Sequence, residues 1–163
     1  MLLAGAAGAD ELLIAKPRPR FAGAVGVHGV LASIADRPHW GGAGVVTLGV
    51  ERARGPDRAV FGGGTLAVAR AETPMGRDVL ALMAEASVGL RSSGFRVRLG
   101  LALGFVAITR STGGDPQSSL ILGPSLALAQ DLVRWEGGSI YAEARGVAAI
   151  GFSHGSFGAG VRF

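Results

Sequence analysis

The chain has 163 residues with a formal net charge of +4, 48% hydrophobic side chains, 17% charged ones and no cysteine. This length fits one domain, and the missing cysteine excludes disulfides, thiolate metal sites and cysteine nucleophiles. A mean hydropathy of +0.40 is high for a chain of this size, and 28 glycines argue against long helices, because glycine weakens a helix by about 1 kcal/mol against alanine. The basic balance does not imply nucleic acid, since the arginines are dispersed and Lys16 is the only lysine.

Residues 1–20 read as a leader, in which the small apolar run Met1 to Ala9 ends on Ala7-Gly8-Ala9, the A-x-A form of an export cleavage site. Lys16-Pro17-Arg18-Pro19-Arg20 reads as an extended approach to the domain of residues 21–163. There, every apolar run is cut before it could span a membrane as a helix, and strand-like alternation recurs between turn signals. The first strand is expected over Phe21 to Leu31, with Phe21, Val25, Val27 and Leu31 on one parity, followed by a loop over Ala32 to Trp40. Gly41 to Arg52 is the second, Val46, Leu48 and Val50 opposing Thr47 and Glu51, before a turn at Gly55-Pro56-Asp57. Arg58 to Ala71 is the third, where Val60, Leu66 and Val68 compete with Phe61 for the apolar face. Asp78 to Arg91 sets Leu80, Leu82, Val88 and Leu90 against Met83, Glu85, Ser87 and Arg91, although its Leu, Met, Ala and Glu also suit a helix.

After Ser92-Ser93-Gly94, Phe95, Val97, Leu99, Leu101, Leu103 and Phe105 oppose Arg96, Arg98, Gly100, Ala102 and Gly104, the clearest strand in the chain. Thr109 to Ser119 reads as a polar loop. Leu120, Leu122, Leu126, Leu128 and Leu132 then oppose Ile121, Ser125, Ala127 and Asp131. Beyond the turn at Trp135 to Gly138, Ile140, Ala142 and Ala144 oppose Tyr141, Glu143 and Arg145, and a last strand ends on Phe163, its boundary with the seventh lying between Val147 and Gly155.

About eight strands, tight turns after the second, fourth and sixth and longer connections after the first and fifth predict an all-β, up-and-down antiparallel transmembrane barrel. Phe21, Trp40, Phe95, Phe105, Trp135, Tyr141 and Phe163 fall near strand ends, as interfacial girdles require. The polar parity would then line the lumen with Thr47, Glu51, Glu85, Ser87, Arg91, Arg96, Arg98, Ser125, Asp131, Glu143, Arg145 and Arg162. Charges of both signs there suggest a plug of ion pairs, in preference to an anion pathway.

The last eight residues carry Ser156, Gly158, Val161 and Phe163 in the polar, glycine, apolar, terminal-aromatic order, which resembles the assembly signal of bacterial outer-membrane barrels. In size and strand number the chain resembles the small OmpA/OmpX-like barrels. That resemblance implies an outer-membrane location, lipid around the wall, the barrel-assembly machinery as a partner during biogenesis, and an envelope-structural or surface-interaction role without a cofactor, its loops around Asp36 to Trp40 and Thr109 to Ser119 facing the exterior. Two alternatives stand beside it. His154-Gly155-Ser156 resembles the His-x-Ser pair of outer-membrane lipid A deacylases, with Glu143 or Glu85 to orient the histidine. A soluble lipocalin-like barrel would instead turn its apolar parity onto a ligand. Gly151-Phe152-Ser153-His154-Gly155 matches G-x-S-x-G but lacks the strand-to-helix context of a nucleophile elbow, and His28, His39 and His154 have no metal-ligand spacing.

Overall fold

A computed structural model describes residues 18–34, 37–72, 77–110, 117–149 and 152–163. Eight antiparallel strands, β1 (Arg20–Ile34), β2 (Arg37–Ala53), β3 (Arg58–Glu72), β4 (Arg77–Ser92), β5 (Phe95–Arg110), β6 (Gln117–Trp135), β7 (Gly138–Ala149) and β8 (Phe152–Arg162), follow one another around a closed barrel. Pairing followed once around the wall from Arg20, through Glu51, Phe61, Gly89, Arg98, Ala127, Arg145 and Ser156, returns to Val30, a stagger of ten residues on β1. With ordinary strand spacings that stagger tilts eight strands by about 40° from the axis.

Period-two alternation decides which side chains face inward. On β5, Leu99, Leu101 and Leu103 lie outside while Arg98, Ala102 and Val106 are buried inside. Phe61 is buried in the lumen whereas Leu66 and Val68 are exposed, which settles the parity of β3 in favour of an inward aromatic. Residues 77–92 form a strand and not a helix, because Leu80 to Leu90 can face outward at every second position only in an extended chain.

Both long loops expected from composition are shorter than foreseen. β1 continues to Ile34 and β2 starts at Arg37, so the polar segment 32–40 is mostly ladder, with Ala32 opposite His39 and Ser33 opposite Pro38. Proline is tolerated there because β2 pairs with β3 only from Trp40 onward, leaving Pro38 paired on one side. Similarly β5 runs to Arg110 and β6 begins at Gln117, so only residues 111–116 separate them. Pro124 lies where the β6–β7 ladder stops, at Ser125 opposite Val147, so its missing N–H interrupts no registered pair on that side. The foreseen contrast of tight and long connections therefore reduces to the longer link between β5 and β6.

At the end where β1 starts and β8 finishes, Ser93 and Gly94 form a two-residue hairpin with φ of 48° and 89°. Positive φ at both centres gives the twist that neighbouring strands require, and glycine supplies the second at no steric cost. Of the leader expected over residues 1–20, residues 1–17 lie outside the described residues, and Arg20 already opens β1.

Candidate functional site

The lumen divides into two halves of different chemistry. In the half toward the tight hairpins, Arg98 on β5 crosses to Glu143 on β7 at 2.5 Å, and its other terminal nitrogen donates to the hydroxyls of Thr47 and Thr65 at 3.3 Å each. Those hydroxyls lie 3.0 Å apart, and the Arg98 guanidinium also stands 6.0 Å above the Phe61 ring. Arg145 on β7 reaches Glu85 on β4 with two nitrogens, at 2.6 and 3.1 Å. Side chains of both pairs are at least nine-tenths buried, so each charge depends on its partner to offset desolvation.

Nearer the hairpin mouth Glu51 accepts from Arg91 at 2.8 Å and lies 3.3 Å from Arg96. Asp131 is paired with Arg162 and, at 3.3 Å, with Arg134, and it accepts from the Ser139 hydroxyl at 3.0 Å. The nine charged residues of the polar parity are thus brought together into four clusters joined across β2, β4, β5, β6, β7 and β8. Thr47 joins one cluster, whereas the hydroxyls of Ser87 and Ser125 are buried without a hydrogen-bond partner.

The His-x-Ser pair has a different geometry from the one its spacing suggests. His154 and Ser156 both face the lumen, but the Ser156 hydroxyl is 3.2 Å from Nδ1 of His28 on β1. His154 instead stacks on Phe152, with ring centroids 6.3 Å apart, and neither of its ring nitrogens has a hydrogen-bond partner. Glu143 and Glu85 are committed to arginines. Ser153, the serine of the G-x-S-x-G match, points outward while its neighbours Phe152 and His154 point inward. Sequence spacing could not reveal His28 as the partner of Ser156, because the contact crosses the seam where β1 meets β8.

The opposite half of the lumen is mostly apolar, with His39 and His154 buried in it, and the polar parity read from the sequence did not include this core. Val30, Val45, Ala67, Ala69, Val79, Ala81, Met83, Val106, Ile121 and Phe152 pack there into one core. Its signal was present in the inward parity of β3 and β4, which turns from Thr65 and Glu85 to alanine, valine and methionine toward that end.

The outer wall is apolar over a defined height. Phe95 and Phe105 stand on the same face of β5, ten residues apart in number and both exposed, which places them about 25 Å apart along the axis. Between them lie only Val97, Leu99, Leu101 and Leu103 on that face. On β3 the same band is bracketed by exposed Arg58 and Arg70, with Arg70 held at 3.2 Å to Asp78. Phe21, Trp135 and Phe163 join Phe95 at the hairpin rim, and Trp40 joins Phe105 at the other. Tyr141 is a correction to the expected girdle, since it is 2% exposed inside the lumen with Arg162 stacked 4.5 Å from its ring. An apolar band roughly 25 Å tall with aromatic girdles is what a bilayer core demands of a barrel.

Structural relatives decide the family of fold. Ail, the attachment invasion locus protein of Yersinia pestis, superposes with a TM-score of 0.64 at 14% identity, over 88% of this chain and 97% of Ail; that structure holds the heparin analogue sucrose octasulfate. Neisserial surface protein A superposes with a TM-score of 0.55 at 16% identity, over 89% of this chain and 97% of that one. In fold, the chain is a small eight-stranded outer-membrane barrel. No protein-family model and no curated protein matches its sequence. The wall has the apolar height of a membrane-spanning barrel, and the fold is the one that these outer-membrane proteins share. Because the apolar parity faces outward, the lipocalin-like alternative, in which it would line a cavity, does not describe this molecule.

Proposed function

We propose that this barrel is a non-enzymatic component of the Gram-negative envelope, structural in its wall and available for surface interaction at the end carrying Trp40, Arg70, Glu72 and Asp78. The reading is carried by the lumen: Arg145–Glu85 ties β7 to β4, Arg98 joins Glu143 on β7 to Thr47 and Thr65 on β2 and β3, and the apolar core fills most of the remaining half. A barrel filled in this way resists deformation and is ill suited to conduction. On this reading the hairpin end faces the periplasm, as short turns do in such barrels, and the terminal Ser156, Gly158, Val161 and Phe163 serve the assembly machinery after export by a cleaved leader. The binding of a heparin analogue by Ail lends support to surface interaction as the second half of the role.

The test is a deletion strain examined for sensitivity to detergents and bulky antibiotics and for adhesion to glycan-coated surfaces. Loss of either property, restored by the wild-type chain and equally by Ser156→Ala, supports the reading. Release of acyl chains from lipid A by the purified barrel, abolished by Ser156→Ala, would instead establish a hydrolase.

A further inference from the structure

The mouth of the lumen at the hairpin end is an open basin of about 960 Å³ whose charge is unbalanced. Six arginines line it, Arg18, Arg20, Arg91, Arg96, Arg134 and Arg162, against two acidic side chains, Glu51 and Asp131. Each carboxylate already serves two guanidiniums, Glu51 those of Arg91 and Arg96 and Asp131 those of Arg134 and Arg162. Arg18 and Arg20 have no acidic partner among the described residues, and the six guanidiniums outnumber the two acidic side chains and the α-carboxylate of Phe163, which also lines the basin, by three. Deeper in, Arg96 is 9% exposed, and the Nε atoms of Arg91 and Arg96 are buried without an acceptor.

Like charges gathered on a low-dielectric rim repel one another, and a bound anion relieves that repulsion while filling the empty donor positions. Guanidinium forks match the oxygens of phosphate, and several forks can engage one phosphate at once. The basin also lies at a particular depth: exposed Phe21, Trp135 and Phe163 belong both to its lining and to the girdle that marks the lipid headgroup level.

We infer that the arginine basin at the hairpin mouth is a binding site for a phosphate-bearing ligand, either the headgroup of an anionic phospholipid or a soluble phosphate ester. The site does not depend on which envelope role the barrel serves. Arg18 and Arg20 are its free donors, and Arg91, Arg96, Arg134 and Arg162 give it a fixed basic floor.

The experiment uses the whole barrel, folded in nanodiscs of phosphatidylcholine alone or of phosphatidylcholine with phosphatidylglycerol, and the variant R18Q/R20Q, whose two sites carry no ion pair that folding needs. Lipid retained through gentle extraction is identified by native mass spectrometry, and glycerol phosphate is titrated into the phosphatidylcholine discs. Retention of phosphatidylglycerol over phosphatidylcholine, reduced about tenfold in R18Q/R20Q, identifies the headgroup. Binding of glycerol phosphate without lipid selectivity, weakened to the same extent by the substitutions, identifies the soluble ester. Unchanged mobility of unboiled R18Q/R20Q on a gel shows that the barrel is intact. Absence of both kinds of binding, or binding that the substitutions leave unchanged, overturns the inference.

Discussion

Gly23 and Phe163 exchange both of their backbone hydrogen bonds, at 2.9 and 3.0 Å, and so extend the seam between β1 and β8 by one pair beyond Ala24 and Arg162. The Phe163 ring also covers Gly23 so closely that a Cβ at that position would lie 2.5 Å from Cε2. The last pair of the closing seam is therefore held by backbone, with the ring lying over a position that has no side chain. Removing Phe163 takes away both hydrogen bonds and the ring, and Gly23→Val displaces the ring while leaving the terminus in place. Both variants are expected to lower the fraction of chain that migrates as a folded species in unboiled samples, the deletion more severely. Wild-type yield of the truncated chain in the membrane fraction would contradict this.

Inside the wall, Arg98 and Glu143 form a buried pair that can be dismantled in stages. Glu143→Gln leaves the guanidinium without its counter-charge and is expected to cost about 3–5 kcal/mol in reversible folding into vesicles. Replacing both by methionine removes both charges, and Thr47 and Thr65 still have each other at 3.0 Å. The double variant should therefore lose far less than the sum of the single losses. Additive losses in that cycle would show that the two side chains do not act as a pair.

What the sequence made legible was parity, because a one-residue shift would have moved every leucine of β5 from lipid to lumen. The same logic placed Glu51, Glu85, Arg98 and Arg145 on the inner face, but it could not pair them: Arg145 and Glu85 are 60 positions apart, and only the curvature of the closed wall brings them together. Composition misled at segment 32–40, where Pro38 and His39 look like a loop yet occupy the one-sided end of β2. Tyr141 lies near a strand end yet follows its parity with Glu143 into the lumen, since period-two alternation overrides position along the strand. The basin at the mouth was hidden since Arg18 and Arg20 precede or open the first strand, and their convergence with Arg134 requires the β6–β7 hairpin to lie alongside.

The arrangement of the lumen also bears on conduction. With Arg98 and Arg145 both held across the interior and an apolar core beyond them, wild-type protein in a planar bilayer is expected to show no stepwise current. Paired truncation to alanine of all four residues, Arg98, Glu143, Arg145 and Glu85, removes the cross-links of one half and leaves the apolar half in place. Conductance should remain absent in that variant, because an apolar constriction excludes ions without any charge of its own. Steady anion-selective steps from the wild type would favour the arginine-lined pathway over the plug.

The claim that leucines on the outer wall face acyl chains can be separated from intrinsic strand preference by comparing two depths on one strand. Leu101 lies near mid-height of the band, between Ala86 and Pro124, and Phe105 lies at its rim, between Leu82 and Leu120. Both face outward and both are flanked on two sides by ladder partners, so an arginine meets a similar backbone at either site. In a bilayer Leu101→Arg should cost about 2–4 kcal/mol and Phe105→Arg only about 0–1 kcal/mol for placing the charge, measured by reversible folding into vesicles. In water the order would be reversed or lost, because an exposed arginine costs nothing at either site and Phe105 forfeits the larger packed ring. A depth dependence of this sign is therefore specific to lipid on the outside, and equal losses at the two positions would remove the bilayer from the explanation of this wall.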